Sequence, residues 1–226
     1  MDKGPRSIGV IMDGNRRWAK SRGLPTLEGH KAGAEKIFEL ADWAHAAGVE
    51  EVILYTFSTE NWQRAEEEVG YLMRLAEHLF TEELGRFEEA GVRVRFIGDL
   101  SRASDRIQSV MKEAEARTKD GTNGTIVFAF SYGGRPEILA AVNRLLLEGK
   151  GSVDEEGFKD AMWSAGLLDP DLILRTGGDH RLSNFLPWQS VYSELFFLDT
   201  MWPDLSKEEF DGVLAAFRER ERRHGK

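Results

Sequence analysis

Ser7-Ile8-Gly9-Val10-Ile11-Met12-Asp13-Gly14-Asn15-Arg16-Arg17-Trp18 runs apolar and then breaks into a carboxylate, a glycine and two adjacent arginines. Ile8, Val10, Ile11 and Met12 do not alternate with polar residues, so the run predicts a strand buried on both faces, as in the parallel sheet of an α/β protein. Gly14 permits a sharp turn, and Arg16 and Arg17 bring donors suited to phosphate oxygens. Asp13 would repel a phosphate there unless a metal lay between them. Mg²⁺ meets that need, since it is usually held by one or two carboxylates together with substrate phosphates. The plainer alternative is a solvated turn with one Asp–Arg pair.

Outward from this stretch, Gly29-His30-Lys31-Ala32-Gly33 leads into Ala34, Ile37, Phe38, Ala41 and Ala44 at helical spacing. Glu51 to Phe57 reads as a second strand with Ser58-Thr59-Glu60-Asn61-Trp62-Gln63-Arg64 at its exit. Val69, Leu72, Met73, Ala76, Leu79, Phe80, Leu84 and Phe87 form one apolar stripe between Glu66 and Ala90, which predicts a single long helix stopped by Gly91. Further strands are expected at Val92–Gly98, Thr125–Ser131, Leu172–Leu174 and Glu194–Leu198. Helices are expected at Arg102–Lys119, from Pro136, around Phe158–Trp163, and through Phe210, Val213, Leu214 and Phe217. Alternating strands and helices predict a mostly parallel sheet covered on both faces, whose ligands collect at the carboxyl ends of its strands. The polar clusters after strands one, two, four and five should therefore share one rim.

The chain has 226 residues, which fits one domain spanning 1–226. A net charge of −9 argues against a nucleic-acid binder, so any anion site must be local. The absence of Cys excludes disulfides and cysteine-ligated zinc. No apolar run reaches the roughly 20 residues of a membrane span, so a cytoplasmic protein with at most peripheral membrane contact is expected.

The set expected on the rim comprises Asp13, Asn15, Arg16, Arg17, His30, Ser58, Glu60, Asn61, Arg64, Arg175, Arg181, Ser183 and Glu194. It is rich in arginine and has no nucleophile–histidine pattern. Arg175 and Arg181 flank Gly177-Gly178, a turn suited to holding a diphosphate from two sides with backbone donors between them. At these residues the sequence closely resembles the cis-prenyltransferases, the undecaprenyl diphosphate synthase family. The matching motifs run in order across nearly the whole chain. They are Met12 to Trp18, Gly29-His30, Phe57 to Trp62, Tyr132-Gly133-Gly134-Arg135, Arg175 to Gly178, Arg181 to Phe185, Trp188-Gln189, Glu194 and Trp202-Pro203-Asp204.

The resemblance implies a six-stranded sheet, a homodimer, and Mg²⁺-dependent condensation of an allylic prenyl diphosphate with isopentenyl diphosphate to form a cis double bond. Under it, Asp13 resembles the metal-linked carboxylate, and Gly14, Asn15, Arg16, Arg17, Trp18 and Arg64 resemble the grip on the allylic diphosphate, with His30 beside it. Ser58, Glu60, Asn61 and Trp62 resemble a mobile loop that positions the reacting groups. Arg175, Arg181 and Ser183 resemble the isopentenyl diphosphate site, and Glu194 a second carboxylate supporting the metal. The Arg223-His224-Gly225 tail resembles an ending that in relatives reaches a neighbouring subunit's site. The implied product is undecaprenyl diphosphate or a similar lipid-carrier precursor, with a short-chain product as the alternative. The stripe through Val69, Leu72, Met73, Leu79 and Phe80 would wall its channel, and Phe130 would narrow it.

Two positions depart from the family pattern: Thr26, where many relatives carry an arginine, and Pro187, in place of a common leucine. A non-catalytic partner subunit, as some eukaryotic members are, would be expected to lose groups that this chain keeps. A nucleotide-binding protein should show a Gly-x-Gly-x-x-Gly or Gly-Lys-Ser/Thr loop, and neither follows the first strand. The Asp-Asp-x-x-Asp run of trans-type prenyl synthases is also missing.

Overall fold

The first strand, β1 (Ser7–Ile11), is buried at every residue, as its non-alternating apolar run requires. The structure, a computed structural model, describes residues 4–220. After β1 come helices α1 (Asn15–Ser21) and α2 (Thr26–Ala46), strand β2 (Glu51–Ser58), and helices α3 (Glu66–Thr81) and α4 (Leu84–Glu89). The chain continues through β3 (Arg93–Ile97), α5 (Asp105–Thr118), β4 (Thr125–Tyr132), α6 (Gly134–Leu147), α7 (Glu155–Ala161), β5 (Leu172–Arg175), β6 (Glu194–Phe197) and α8 (Lys207–Glu219). Short 3₁₀ turns occupy Thr59–Gln63, Leu100–Arg102 and Trp202–Asp204. Among the described residues, no helix is long and apolar enough to cross a membrane.

The six strands form one sheet in the order β3-β4-β2-β1-β5-β6, and every pairing is parallel. From β1 the chain moves first to β2 on one side and later to β5 on the other. The gap between β1 and β5 is therefore the switch point, where loops leave the carboxyl ends in opposite directions and open a crevice. The register pairs Ile11 with Arg175, so Asp13 and Arg175 emerge side by side at that crevice.

Three element boundaries differ from the sequence reading. The stripe from Glu66 to Ala90 is two helices, α3 and α4, broken at Glu82–Glu83. The Thr81 hydroxyl donates to the Glu77 carbonyl at 2.8 Å, a back-bond that loosens a helix end, and the turn lets Leu84 and Phe87 bury fully. Helix α2 begins at Thr26, so Gly29 and Gly33 lie inside it. Both face α1: a Cβ on Gly29 would stand 2.0 Å from the Asn15 carbonyl oxygen, and one on Gly33 2.5 Å from Asn15 Oδ1. The glycines cost helix propensity and permit that contact. Helix α6 begins at Gly134 rather than Pro136, because Asn184 supplies its first turn with a carbonyl for Gly134 N–H and a side-chain oxygen for Arg135 N–H.

Candidate active site

Asp13 sits directly after β1, where the chain must turn. Gly14 takes φ +106°, a conformation that a side chain would strain, and its N–H donates to Asp13 Oδ1 at 2.6 Å. The buried Thr176 hydroxyl bonds the Asp13 backbone on both sides, accepting from its N–H at 3.1 Å and donating to its carbonyl at 2.8 Å. The Trp202 N–H reaches the same carbonyl at 3.0 Å. Asp13 is thus fixed by its own turn and by two segments distant in sequence. Burial works against its charge, yet the hydrogen bonds from Arg175 and Gly14 and the nearby charges of Arg175 and Arg17 hold Asp13 below the usual carboxylate range.

Arg175, at the end of β5, is buried and fastened. Its Nη2 donates to Asp13 Oδ2 at 2.8 Å and faces Asp179 Oδ2 at 3.4 Å, while Nη1 donates to Ser183 Oγ at 2.8 Å and to the Arg181 carbonyl. These bonds fold the 179–183 loop over the crevice and present Arg181, which pairs with Asp179 at 2.7 Å and is mostly exposed. The expected backbone donors of the Gly-Gly turn are already taken. Gly177 N–H bonds the Thr200 carbonyl and Gly178 N–H the Leu198 carbonyl, both at 2.8 Å, because the turn joins the sheet edge to the segment after β6. Arg17 Nη1 closes the same turn from the other side, at 2.6 Å from the Gly177 carbonyl.

Across the crevice, Glu68 in the first turn of α3 gathers two arginines and a histidine. Its carboxylate accepts from Arg64 Nη1 at 2.8 Å, lies 3.4 Å from His30 Nε2 and stands 3.8 Å from Arg16 Nη1. Burial opposes its ionisation, but the charges of Arg64 and Arg16 hold it below the usual range. The His30 pKa is lowered as well, since burial and the neighbouring Arg64 disfavour a proton on its ring.

The loop after β2 is tied down as well. Asn61 Oδ1 accepts from Ser58 N–H at 3.0 Å, and Glu60 accepts from Asn184 Nδ2 at 3.1 Å. A cleft of about 440 Å³ runs among Asp13, Ser58, Glu60, Asn61, Arg64 and Ser183, and one of about 470 Å³ continues past Arg16, Arg17 and Arg181. Met12, Asn15 and His30 line both, and the same three residues border an apolar cavity of about 90 Å³ beneath. Leu72, Leu79, Phe80, Phe128 and Phe130 enclose that cavity between α3 and the sheet.

An arginine-lined cleft joined to an apolar cavity suits a molecule with an anionic head and a hydrocarbon tail. The sequence profile of the family described as "Putative undecaprenyl diphosphate synthase" matches residues 11–225. The chain belongs to that family. An isoprenyl transferase of Thermotoga maritima is 41% identical over 225 residues, covering 98% of this chain and 97% of that protein. One from Listeria monocytogenes is 44% identical over 227 residues, covering 98% and 90%. Among solved structures, lavandulyl diphosphate synthase of Lavandula x intermedia, in complex with dimethylallyl diphosphate, superposes with a TM-score of 0.94 at 29% identity over 99% of each chain. A probable undecaprenyl diphosphate synthase of Campylobacter jejuni superposes at 0.85 with 35% identity, over 99% of this chain and 100% of that one.

Within this undecaprenyl diphosphate synthase family member, most of the residues expected on the rim meet there, but four expectations are corrected or lie outside the described residues. Glu194 is the first residue of β6 and pairs in register with Leu172, whereas Arg175 pairs with Phe197 at the other end. It therefore lies toward the amino edge of the sheet, paired with Arg220 at 2.6 Å, and does not meet Asp13. Trp18 turns outward, its Nε1 bonded to Asp204 at 2.7 Å and its face under Arg22. Trp62 packs edge-on against Phe57 and donates to Ser131 Oγ at 3.0 Å, beneath the loop rather than in the cleft. Arg223 and Gly225 lie outside the described residues. Thr26 is the first residue of α2, and Pro187 lies so close to Gly134 that a Cβ there would stand 1.9 Å from Pro187 Cδ.

Sequence reasoning missed Glu68, Asp179, Thr176 and the bracing by Asn184. Glu68 had a local signal, its spacing of four residues from Arg64 on a helix start. Asp179 meets Arg175 and Arg181 within one loop, whose shape the sequence does not state, and Thr176 and Asn184 act through contacts between distant segments.

Proposed function

We propose that the protein is a cis-prenyltransferase that condenses isopentenyl diphosphate with an allylic prenyl diphosphate to give a (Z)-polyprenyl diphosphate, undecaprenyl diphosphate or a similar lipid-carrier precursor. The observation that carries this reading is the direct continuity of the arginine-lined cleft with the apolar cavity through Met12, Asn15 and His30. In the reaction the allylic C–O bond breaks and its electron pair leaves with the diphosphate. The isopentenyl double bond then forms the new C–C bond, and the isopentenyl unit loses a proton. Arg16, Arg17, Arg64 and His30, beside Gly14 and Asn15, hold the allylic diphosphate and stabilise the charge it gains. Arg181 and Ser183, backed by Arg175, hold isopentenyl diphosphate. Ser58, Glu60 and Asn61 shape the wall between the two.

The donor set suits Mg²⁺. Asp13 is a carboxylate facing a cleft lined with cations, and among the described residues no three carboxylate or imidazole groups converge. Asp13 would hold the ion with diphosphate oxygens and water completing its shell. Its contribution there is to neutralise charge on the leaving diphosphate.

A homodimer suits the surface of α6, where Leu139, Val142 and Leu146 are exposed at 62%, 39% and 66% along one stripe, and the unpaired edge of β6. Light scattering checks the mass. A water-soluble substrate pair and a lipid product support a cytoplasmic reaction with peripheral membrane contact for release.

The test is incorporation of labelled isopentenyl diphosphate by the purified protein, with products separated by chain length. Incorporation that fails with every allylic primer defeats the proposal. A second reading, a short-chain synthase, draws on the small cavity and on Phe130, which is 3% exposed and stacks on Phe57 at 5.3 Å across its floor. Phe130→Ala should cost about 3–5 kcal/mol of stability and lengthen the products if the ring limits growth. Unchanged lengths in an active variant assign Phe130 to the core alone.

A further inference from the structure

Among the described residues, four that are not glycine take a left-handed backbone, and three of them lie together: Ser183 (φ +49°), Asn184 (φ +69°) and Leu186 (φ +47°). That conformation costs an L-residue free energy and persists only where the surroundings over-determine it. Around Asn184 they do. Its carbonyl accepts from Gly134 N–H at 2.7 Å, its Oδ1 accepts from Arg135 N–H at 2.9 Å, and its Nδ2 donates to Glu60 Oε1 at 3.1 Å. A backbone N–H can only donate, so Oδ1 must face α6 and Nδ2 is left aimed at Glu60. Burial opposes the charge on Glu60, but bonds from its own backbone, Ser58 and Asn184 hold it below the usual carboxylate range, so this partner is an ion. The residues on either side are fastened too: Phe185 is fully buried and stacks on Tyr55 at 4.7 Å, and the Tyr55 hydroxyl donates to the Ser183 carbonyl at 3.2 Å.

Asn184 is therefore the joint of three segments. Two of its bonds go to the first turn of α6, where glycine permits close approach: a Cβ on Gly133 would stand 2.8 Å from Asn184 Nδ2. The third goes to the turn after β2, whose Glu60 shares the cleft with Ser58, Asn61 and Ser183. We propose that Asn184 is a positioning residue for the condensation: by tying both Glu60 and the 181–183 loop to the first turn of α6, it fixes how far the isopentenyl unit stands from the allylic carbon. The inference rests on the reading of Arg181 and Ser183 as the isopentenyl diphosphate site. Asn184 acts through Ser183 and Glu60 rather than on the reacting atoms, so its loss should reach the rate of reaction more than the affinity for either ligand.

Two substitutions separate this role from simple capping of α6. Asn184→Asp keeps an acceptor for Arg135 N–H but replaces the donor to Glu60 with a like charge. Asn184→Gly keeps the left-handed backbone and the carbonyl bond to Gly134 but gives up both side-chain bonds. Both variants should turn over at least about tenfold more slowly, within the roughly 10²-fold that a misplacement of about 1 Å costs. Their dissociation constants for isopentenyl diphosphate, by calorimetry, should stay within about threefold of the wild type, because Arg175 still braces Ser183 and the Arg181 carbonyl. The order of the two is the sharpest reading: Asn184→Asp should melt higher than Asn184→Gly and yet turn over no faster. A residue that only caps α6 predicts near-wild-type turnover in Asn184→Asp, and that result overturns the inference. An affinity loss as large as the loss in kcat also overturns it, since Asn184 then builds the isopentenyl loop alone. A wild type that binds no isopentenyl diphosphate defeats the site reading itself, and the inference with it. If Asn184→Gly does not fold, Asn184→Asp, which keeps the cap, decides by its turnover and affinity.

Discussion

Arg17 and Arg175 both reach the Asp13 carboxylate, at 3.2 Å and 2.8 Å, but the Arg17 side chain is 50% exposed and the Arg175 side chain only 5%. The contrast extends to the two halves of the cleft. On the β5 side, Arg175 is bonded to two carboxylates, a hydroxyl and a carbonyl, so the 179–183 loop is built before any ligand arrives. On the other side, Arg16, Arg64 and His30 come from three separate elements and are held by one carboxylate on a loosely packed helix. One half is cross-braced within its own loop and the other is held by a single carboxylate. A reaction that keeps adding the same small unit to a lengthening chain suits that division, because one ligand stays constant in size and the other grows.

The largest effect is expected at the residue shared by both halves. Asp13→Ala should lower kcat by about 10²–10³, the scale of removing one group that stabilises transition-state charge. It should also lower the melting midpoint, because Arg175 loses the closer of its two carboxylates. Breaking a buried pair costs about 3–5 kcal/mol, and Asp179 at 3.4 Å should keep this loss at or below the low end. Wild-type activity in the variant, or an unchanged midpoint, would remove Asp13 from its place between the halves.

The next test separates the halves themselves. Arg175→Ala and Arg181→Ala should each weaken isopentenyl diphosphate by at least about tenfold, the equivalent of a charge-assisted hydrogen bond. Arg17→Ala should instead weaken the allylic ligand. Only Arg175→Ala should also destabilise the fold, because Arg181 is 62% exposed. Titration of each ligand alongside a melting curve distinguishes the three. Equal effects of all three on both ligands would erase the division.

The smallest effect is a pH dependence. Burial and the neighbouring Arg64 and Arg16 lower the His30 pKa from 6.5, so the unfolded chain binds a proton there more readily than the folded one. Stability should fall as pH drops from 6.5 toward the folded value and recover as pH rises through the same window. His30→Gln should flatten that slope in urea titrations. Asp13 has the same sign at lower pH: its lowered pKa gives stability that is complete above the unfolded value of 3.8 and lost as pH falls through the folded one. The His30 window opens at 6.5 and the Asp13 window only below 3.8, so His30→Gln should flatten the decline that begins at the less acidic end.

Much of this protein could be read from local pattern. The non-alternating run of β1 requires a buried parallel strand, and turn chemistry after each strand marks where charged groups gather; both signals lie within a few consecutive residues. The motifs from Met12 to Trp18 and from Arg175 to Phe185 carry the family in the same way. Other features depend on registers and contacts between segments far apart in sequence. The β5–β6 register moves Glu194 away from Asp13, and the contact with Asp204 turns Trp18 outward. The Gly177 and Gly178 donors are taken by carbonyls of the segment after β6, and Thr176 aims Asp13 across a separation of 163 residues. A side chain's residue type states which bonds it can make. Which partner it meets is decided by the packing of the whole sheet, and that is why the meeting of Glu68 with Arg16 and His30, beyond its neighbour Arg64, is visible only in the folded chain.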